Sequence, residues 1–264
     1  MTQDANPLHN KVCLDGCVYG ELVSEPSCIP AHTCVPDNSS LRIEKFFATN
    51  PSLANEFLTH SHFEVRAAAI RYADVFRLTA LLNDPDETVR WSAACRLPRR
   101  FLLKLRNDPH REVRIRIAAS LEGEELLPMM SDTDYFVRQV VARCIGAPQL
   151  KYMMDDPDPE VRQIVAERIA AEWLLELIDD PDVSVRVTVA KRLTPTQLLP
   201  LRFHPDFRVR YEAASRVPTG ALEIMRDDAD PMVRELVETR LVTARANGEH
   251  VVIEMNIARA GRRY

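Results

Sequence analysis

Residues 156–169 read Asp-Pro-Asp-Pro-Glu-Val-Arg-Gln-Ile-Val-Ala-Glu-Arg-Ile, and this stretch decides the fold because the chain keeps returning to it. The dipeptide Val-Arg falls at valines 65, 89, 113, 137, 161, 185, 209 and 233, each 24 residues from the last. Eleven residues before the valine, from the second copy on, stands Leu78, Leu102, Leu126, Leu150, Leu174, Leu198 or Leu222. Three further on is Leu81, Leu105, Met129, Met153, Leu177, Leu201 or Met225. Apolar residues also keep phase behind the valine, ending eight positions on at Leu97, Leu121, Ile145, Ile169, Leu193, Val217 or Leu241. A period of this length marks a repeat architecture.

The spacings name the elements. Apolar positions at the valine and four, five and eight residues beyond it form the stripe of an amphipathic α-helix. Three residues before the valine lies Asp86, Asp134, Asp158, Asp182, Asp206 or Asp230, an N-cap residue; Pro159 and Pro231 follow at the first helical position. The rest of the unit carries Leu-x-x-Leu/Met and then an Asp-Pro turn, as at Asp84-Pro85 or Asp180-Pro181. That piece is short, and Pro128 and Pro200 fall between its apolar anchors, so a 3₁₀ helix fits it better than an α-helix. The expected fold is all-α: a solenoid of eight 24-residue repeats, each an α-helix plus a short 3₁₀ helix, behind a small N-terminal metal-cluster segment. A 24-residue unit cannot fold alone and must bury its stripe against its neighbours.

The boundaries follow from phase. Residues 1–38 form a cysteine-rich segment, 39–64 a joining and capping region with the start of the first repeat, 65–245 the repeats, and 246–264 a cap or tail. In the joining region Ser39 or Ser40 can start a helix through Phe46 and Phe47 that covers the first repeat's open face. The run Val251-Val252-Ile253 can do the same at the other end.

Two columns of charge recur. Arg66, Arg90, Arg114, Arg138, Arg162, Arg186, Arg210 and Arg234 share one position, and the N-cap aspartates stand one turn upstream. One reading is a structural ladder, each guanidinium pairing with an aspartate or carbonyl of its own or the adjacent repeat. The other is a partner surface, a positive groove for phosphate or an acidic protein. Aspartates beside the arginines favour the ladder. His62 and His110 replace the cap aspartate and would leave Arg66 and Arg114 least neutralised, so under the second reading any anion site should lie there.

Four of the six cysteines, Cys13, Cys17, Cys28 and Cys34, lie within 22 residues as C-x3-C-x10-C-x5-C. Four thiolates can close around one metal centre, and three readings stand: structural zinc, an iron–sulfur cluster, or disulfides. His9 and His32 are near enough to substitute as ligands. Cys95 and Cys144 sit beside core alanines in repeat helices and are expected to be buried structural thiols.

The period and the four-cysteine segment together resemble the bacterial leucine-rich repeat variant family along essentially the whole chain. The resemblance implies a right-handed superhelix of alternating α and 3₁₀ helices without β-sheet. It also implies a [4Fe–4S] cluster on Cys13, Cys17, Cys28 and Cys34. The Asp-Pro-x-x-Val-Arg segment is more weakly similar to HEAT-like repeats, which implies partner binding.

The net charge of −5 gives no whole-chain attraction to nucleic acid or anionic lipid, and no run of 18 apolar residues exists to cross a membrane. The N-terminus lacks the basic and apolar regions of a secretory signal, so a cytoplasmic protein is expected. No Ser-His-Asp arrangement, Gly-rich phosphate loop or histidine metal motif is present, so no enzyme is expected. The leading expectation is an iron–sulfur scaffold for an unknown protein partner, the cluster serving a redox, sensing or structural role. The alternatives are an electron-transfer protein and a nucleic-acid-binding protein using the arginine column.

Overall fold

A computed structural model describes residues 40–247. Those residues contain α and 3₁₀ helices and no strand, as the spacing requires. Cys13, Cys17, Cys28, Cys34, His9, His32 and the run 251–253 lie outside the described residues. The chain divides into two compact units, 1–121 and 122–264.

The first unit opens with α1 (Ser40–Thr49), followed by the 3₁₀ pieces η1 (Pro51–Leu53) and η2 (Glu56–Thr59). Helix α2 (Phe63–Ile70), η3 (Val75–Asn83), α3 (Glu87–Arg96), η4 (Arg99–Asn107) and α4 (Arg111–Ser120) then alternate. Each α-helix packs on the one before it. Helix α1 closes the open side of the first repeat, burying Ile43, Phe46 and Phe47. Phe46, Phe47 and Phe57 meet edge to face at 5.2–5.7 Å between ring centres, a preferred geometry for aromatic rings. Fully burying one such side chain contributes about 1.5–3 kcal/mol.

The second unit runs η5 (Gly123–Met129), α5 (Tyr135–Cys144), η6 (Ala147–Met153), α6 (Pro159–Arg168), η7 (Ala171–Leu177) and α7 (Val183–Arg192). It continues through α8 (Pro195–Leu198), η8 (Pro200–Phe203), α9 (Phe207–Arg216), η9 (Thr219–Ala221), η10 (Glu223–Met225) and α10 (Pro231–Ala246). Here the 3₁₀ rule bends once. Pro195–Leu198 makes a single α turn, held by a capping box between Thr194 and Gln197. Pro128 sits inside η5 as its spacing foretold. Gly123 opens η5 with φ +57°, a left-handed conformation that favours glycine.

Period becomes packing through phase. The repeat valines are all 0–1 % exposed, and so are Leu78, Leu126, Leu150, Leu174, Leu198 and Leu222. Leu102 is an exception and is only half-buried. The cap aspartates Asp86, Asp134, Asp158 and Asp230 each accept from two backbone N–H groups of the first turn, while Asp182 and Asp206 each accept from one. His62 and His110 cap nothing through their side chains.

Candidate functional site

The cysteine segment supplies one candidate site by its chemistry. Four thiolates are a full ligand set for one cluster or one tetrahedral ion. Among the described residues no group of three or more His, Cys, Asp or Glu side chains could hold a metal.

The arginine column has a definite geometry. In every repeat the Nη1 of the arginine donates to the carbonyl six residues back, on its own Asp-Pro turn or that turn's equivalent: Arg66 to His60, Arg90 to Asp84, Arg114 to Asp108, Arg138 to Asp132. Arg162 reaches Asp156, Arg186 Asp180, Arg210 His204 and Arg234 Asp228 in the same way. The other edge of the guanidinium faces the next repeat. Arg66 makes a two-pronged pair with Asp84 at 2.8 and 2.6 Å, and Arg90 pairs with Asp108 at 2.7 and 2.7 Å. In the second unit Arg138–Asp156, Arg162–Asp180 and Arg210–Asp228 repeat the pattern at 2.7–3.0 Å. The planar fork of arginine matches a carboxylate in this way and lysine cannot.

The carboxylate does two further jobs. Its Oδ1 accepts the backbone N–H two residues on, fixing the turn: Asp86 to Asp84, Asp158 to Asp156, Asp230 to Asp228. Its own carbonyl then receives the next arginine. Arg66–Asp84–Arg90–Asp108–Arg114 is one unbroken relay in the first unit. Pairing with aspartate raises the pKa of Arg66, Arg90, Arg138, Arg162 and Arg210, although burial alone would lower it. Conversely, the hydrogen bond from Arg210 holds the Asp228 carboxyl below its ordinary value.

The arrangement is the ladder, with a carbonyl of the arginine's own repeat on one edge and an aspartate of the next repeat on the other. The paired carboxylate is not the cap aspartate one turn upstream but the turn aspartate 18 residues ahead, brought alongside by stacking. The anion site expected at Arg66 fails for the same reason. His62 leaves the helix start uncapped, yet Asp84 neutralises Arg66 in full. The column as a partner surface meets an obstacle too, since Arg66, Arg90, Arg138 and Arg162 are buried with their guanidiniums engaged inside the protein. Two histidines occupy the turn position. His60 accepts from the N–H of His62, and His204 from the N–H of Asp206, each through Nδ1. Burial, then the neighbouring His62, lowers the pKa of His60.

A second arginine set had gone unread. Arg192, Arg216 and Arg240 donate to the carbonyls of Ala166, Ala190 and Ala214 in the preceding helix, at 2.7, 3.2 and 2.7 Å. Arg168 does the same to Ala142, and Arg96 to Ile70 and Ala73. These carbonyls are the orphan acceptors of a helix C-terminus, where a cation is favoured. The signal was available: arginine recurs seven residues after the valine at 96, 168, 192, 216 and 240.

Cys95 and Cys144 are corrected as well, since both are exposed. They follow the valine by six and seven residues, and those positions point outward while the fifth and eighth point in. Burial of its stem still pushes the Cys95 thiol up.

Helices of two kinds alternating at a 24-residue period, clamped by arginine and led by four cysteines, define an iron–sulfur repeat protein. The family described as LRV protein FeS4 cluster matches residues 9–56, which include all four cysteines and α1. A solved structure, "a leucine-rich repeat variant with a novel repetitive protein structural motif", is 40% identical and covers 87% of this chain and 98% of that one, with a TM-score of 0.77. The chain belongs to the leucine-rich repeat variant family. A relative from Rhodobacter capsulatus, an uncharacterized 27.7 kDa protein in the nifB 3′ region, is 45% identical over 82 residues. That match spans 31% of this chain and 34% of the relative, about a third of its length.

Proposed function

We propose that this protein is a non-enzymatic scaffold whose helical stack binds a protein partner in the cytosol. In this reading its N-terminal segment holds a [4Fe–4S] cluster on Cys13, Cys17, Cys28 and Cys34. The [4Fe–4S] type is what the likeness to the leucine-rich repeat variant family implies, and the four-thiolate donor set is compatible with it; the cluster itself rests on the family match over residues 9–56. When bound, such a cluster supplies one-electron redox chemistry. The chain's own residues anchor it: α1 follows the cysteines directly and is fixed by Phe46 and Phe47 against the first repeat.

One observation carries the scaffold reading. The core is complete, yet large apolar side chains stand in water on the 3₁₀ helices: Phe76 at 91 %, Tyr152 at 70 % and Phe203 at 64 % exposure. An exposed aromatic side chain offers a partner a large apolar contact area. Among the described residues no helix is long and apolar enough to cross a membrane, which favours protein over lipid as the partner.

The test is purification without oxygen, followed by visible and EPR spectra and assay of iron, sulfide and zinc. Iron and sulfide in equal amounts, lost when Cys13 and Cys17 are changed to Ser, support the cluster. A colourless zinc protein ends that half of the proposal. Partner capture with and without the cluster then tests the scaffold half.

A further inference from the structure

The two long 3₁₀ helices of the first unit carry only basic charge. Helix η3 carries Arg77, and η4 carries Arg99, Arg100, Lys104 and Arg106; neither contains an acidic residue. In the second unit η5 and η7 are acidic, with Glu124, Glu125, Glu172 and Glu176, while η6 and η8 carry the single cations Lys151 and Arg202. Phe76 precedes its repeat valine by the same 13 residues as Arg100 does, so adjacent repeats present Phe76-Arg77 and Arg100-Phe101 at matching positions. Arg77, Arg100 and Lys104 are exposed, and Phe76 is exposed at 91 %. The Phe101 ring already holds two cations, with Arg100 at 5.0 Å and Lys104 at 5.2 Å from its centre.

We propose that η3 and η4 form the docking surface for an acidic protein, with Phe76 as the apolar anchor and Arg77, Arg100 and Lys104 as the steering charges. Charge complementarity chooses the occupant. Five cations and no acid on two successive 3₁₀ helices, in a chain of net charge −5, suit a compact acidic partner. A single-stranded nucleic acid needs successive open rings along a continuous basic track. Here the Phe101 ring is already occupied by Arg100 and Lys104, which leaves Phe76 as the open ring of the patch. Aromatic and arginine side chains are also the residues that carry most binding energy at protein interfaces. The inference rests on the scaffold reading and names the class of partner.

The test uses the full chain and two fluorescent probes, a peptide of Glu-Glu-Leu triplets and an oligothymidylate of equal charge, at low and at physiological salt. The peptide should bind more tightly than the oligonucleotide. Arg100→Glu with Lys104→Glu should weaken it by about tenfold or more, and Phe76→Ala by a few-fold even at the higher salt. Arg77→Gln serves if the double reversal lowers the melting temperature, and Arg143→Glu, an exposed site elsewhere, should leave binding unchanged. Failure of the peptide to bind, indifference to the reversals, or tighter oligonucleotide binding that the reversals abolish overturns the proposal. A photo-cross-linker at position 76, and another at 152, in the producing cells separate it from the scaffold reading. An acidic protein caught at 76 supports both. Capture at 152 alone, or of a basic protein at 76, sinks only the patch, and no adduct at either position sinks both.

Discussion

Arg186 closes its ion pair on Asp206, 20 residues ahead, with Nε–Oδ2 3.1 Å and Nη2–Oδ2 2.5 Å. Arg66, Arg90, Arg138, Arg162 and Arg210 each reach 18 residues instead. The displaced partner has a simple cause. His204 fills the turn position, and its Nδ1 is already committed to the N–H of Asp206. An imidazole can copy one oxygen of the carboxylate but cannot take the arginine fork as well.

Replacing His204 by Asp should therefore restore the 18-residue pair and leave Asp206, whose Oδ1 already accepts from the Arg208 N–H, to its cap alone. The gain expected is about 1–2 kcal/mol, the scale of hydrogen bonds to charged groups. Urea unfolding measures it, and an equal or lower midpoint would show that the histidine is not a defect in the ladder.

Breaking a ladder rung costs more than removing it. Arg138 and Asp156 are 10 % and 5 % exposed in their side chains. Asp156→Ala leaves Arg138 buried without its carboxylate and should destabilise the protein by about 3–5 kcal/mol. The pair Arg138→Met with Asp156→Leu should cost far less, because neither charge remains to be desolvated. A double-mutant cycle decides; equal losses would place the energy elsewhere.

How much of this was readable depended on distance along the chain. Apolar phase and caps are local, so the helices, the 3₁₀ pieces and the covering role of Phe46 and Phe47 followed from spacing alone. Which aspartate serves Arg66 was not legible, because Asp84 becomes its neighbour only after two repeats stack. The staple from Arg192 to Ala166 spans 26 residues and was hidden for the same reason. Cys95 was misplaced by a finer effect, since one residue along a helix turns the side chain by about 100°.

Acid should loosen the ladder. The Asp228 carboxyl is held below its ordinary value by Arg210, so its folded pKa lies under the unfolded one, which is about 3.9. Such a group adds stability that is present above the unfolded value and is lost as pH falls through the folded one. Stability measured in urea should drop below about pH 4–5, and Asp228→Asn should flatten that part of the curve. A curve of unchanged slope would remove Asp228 from the account.

The cluster should have a low potential. Residues 1–40 carry Asp4, Asp15, Glu21, Glu25 and Asp37 against Lys11 alone, and negative surroundings repel an added electron. Redox titration followed by EPR should place the midpoint below zero. A value near or above zero would contradict this.

Because the rungs from Arg66, Arg90, Arg138, Arg162 and Arg210 all join a carboxylate 18 residues on, the ladder also acts as a ruler. A single residue inserted between Arg138 and Asp156 would slide the acid past its fork. Whole blocks of 24 can be added or removed without disturbing the register. Length in this molecule is thus quantised, and its variation should come in complete repeats while outward-facing side chains change freely.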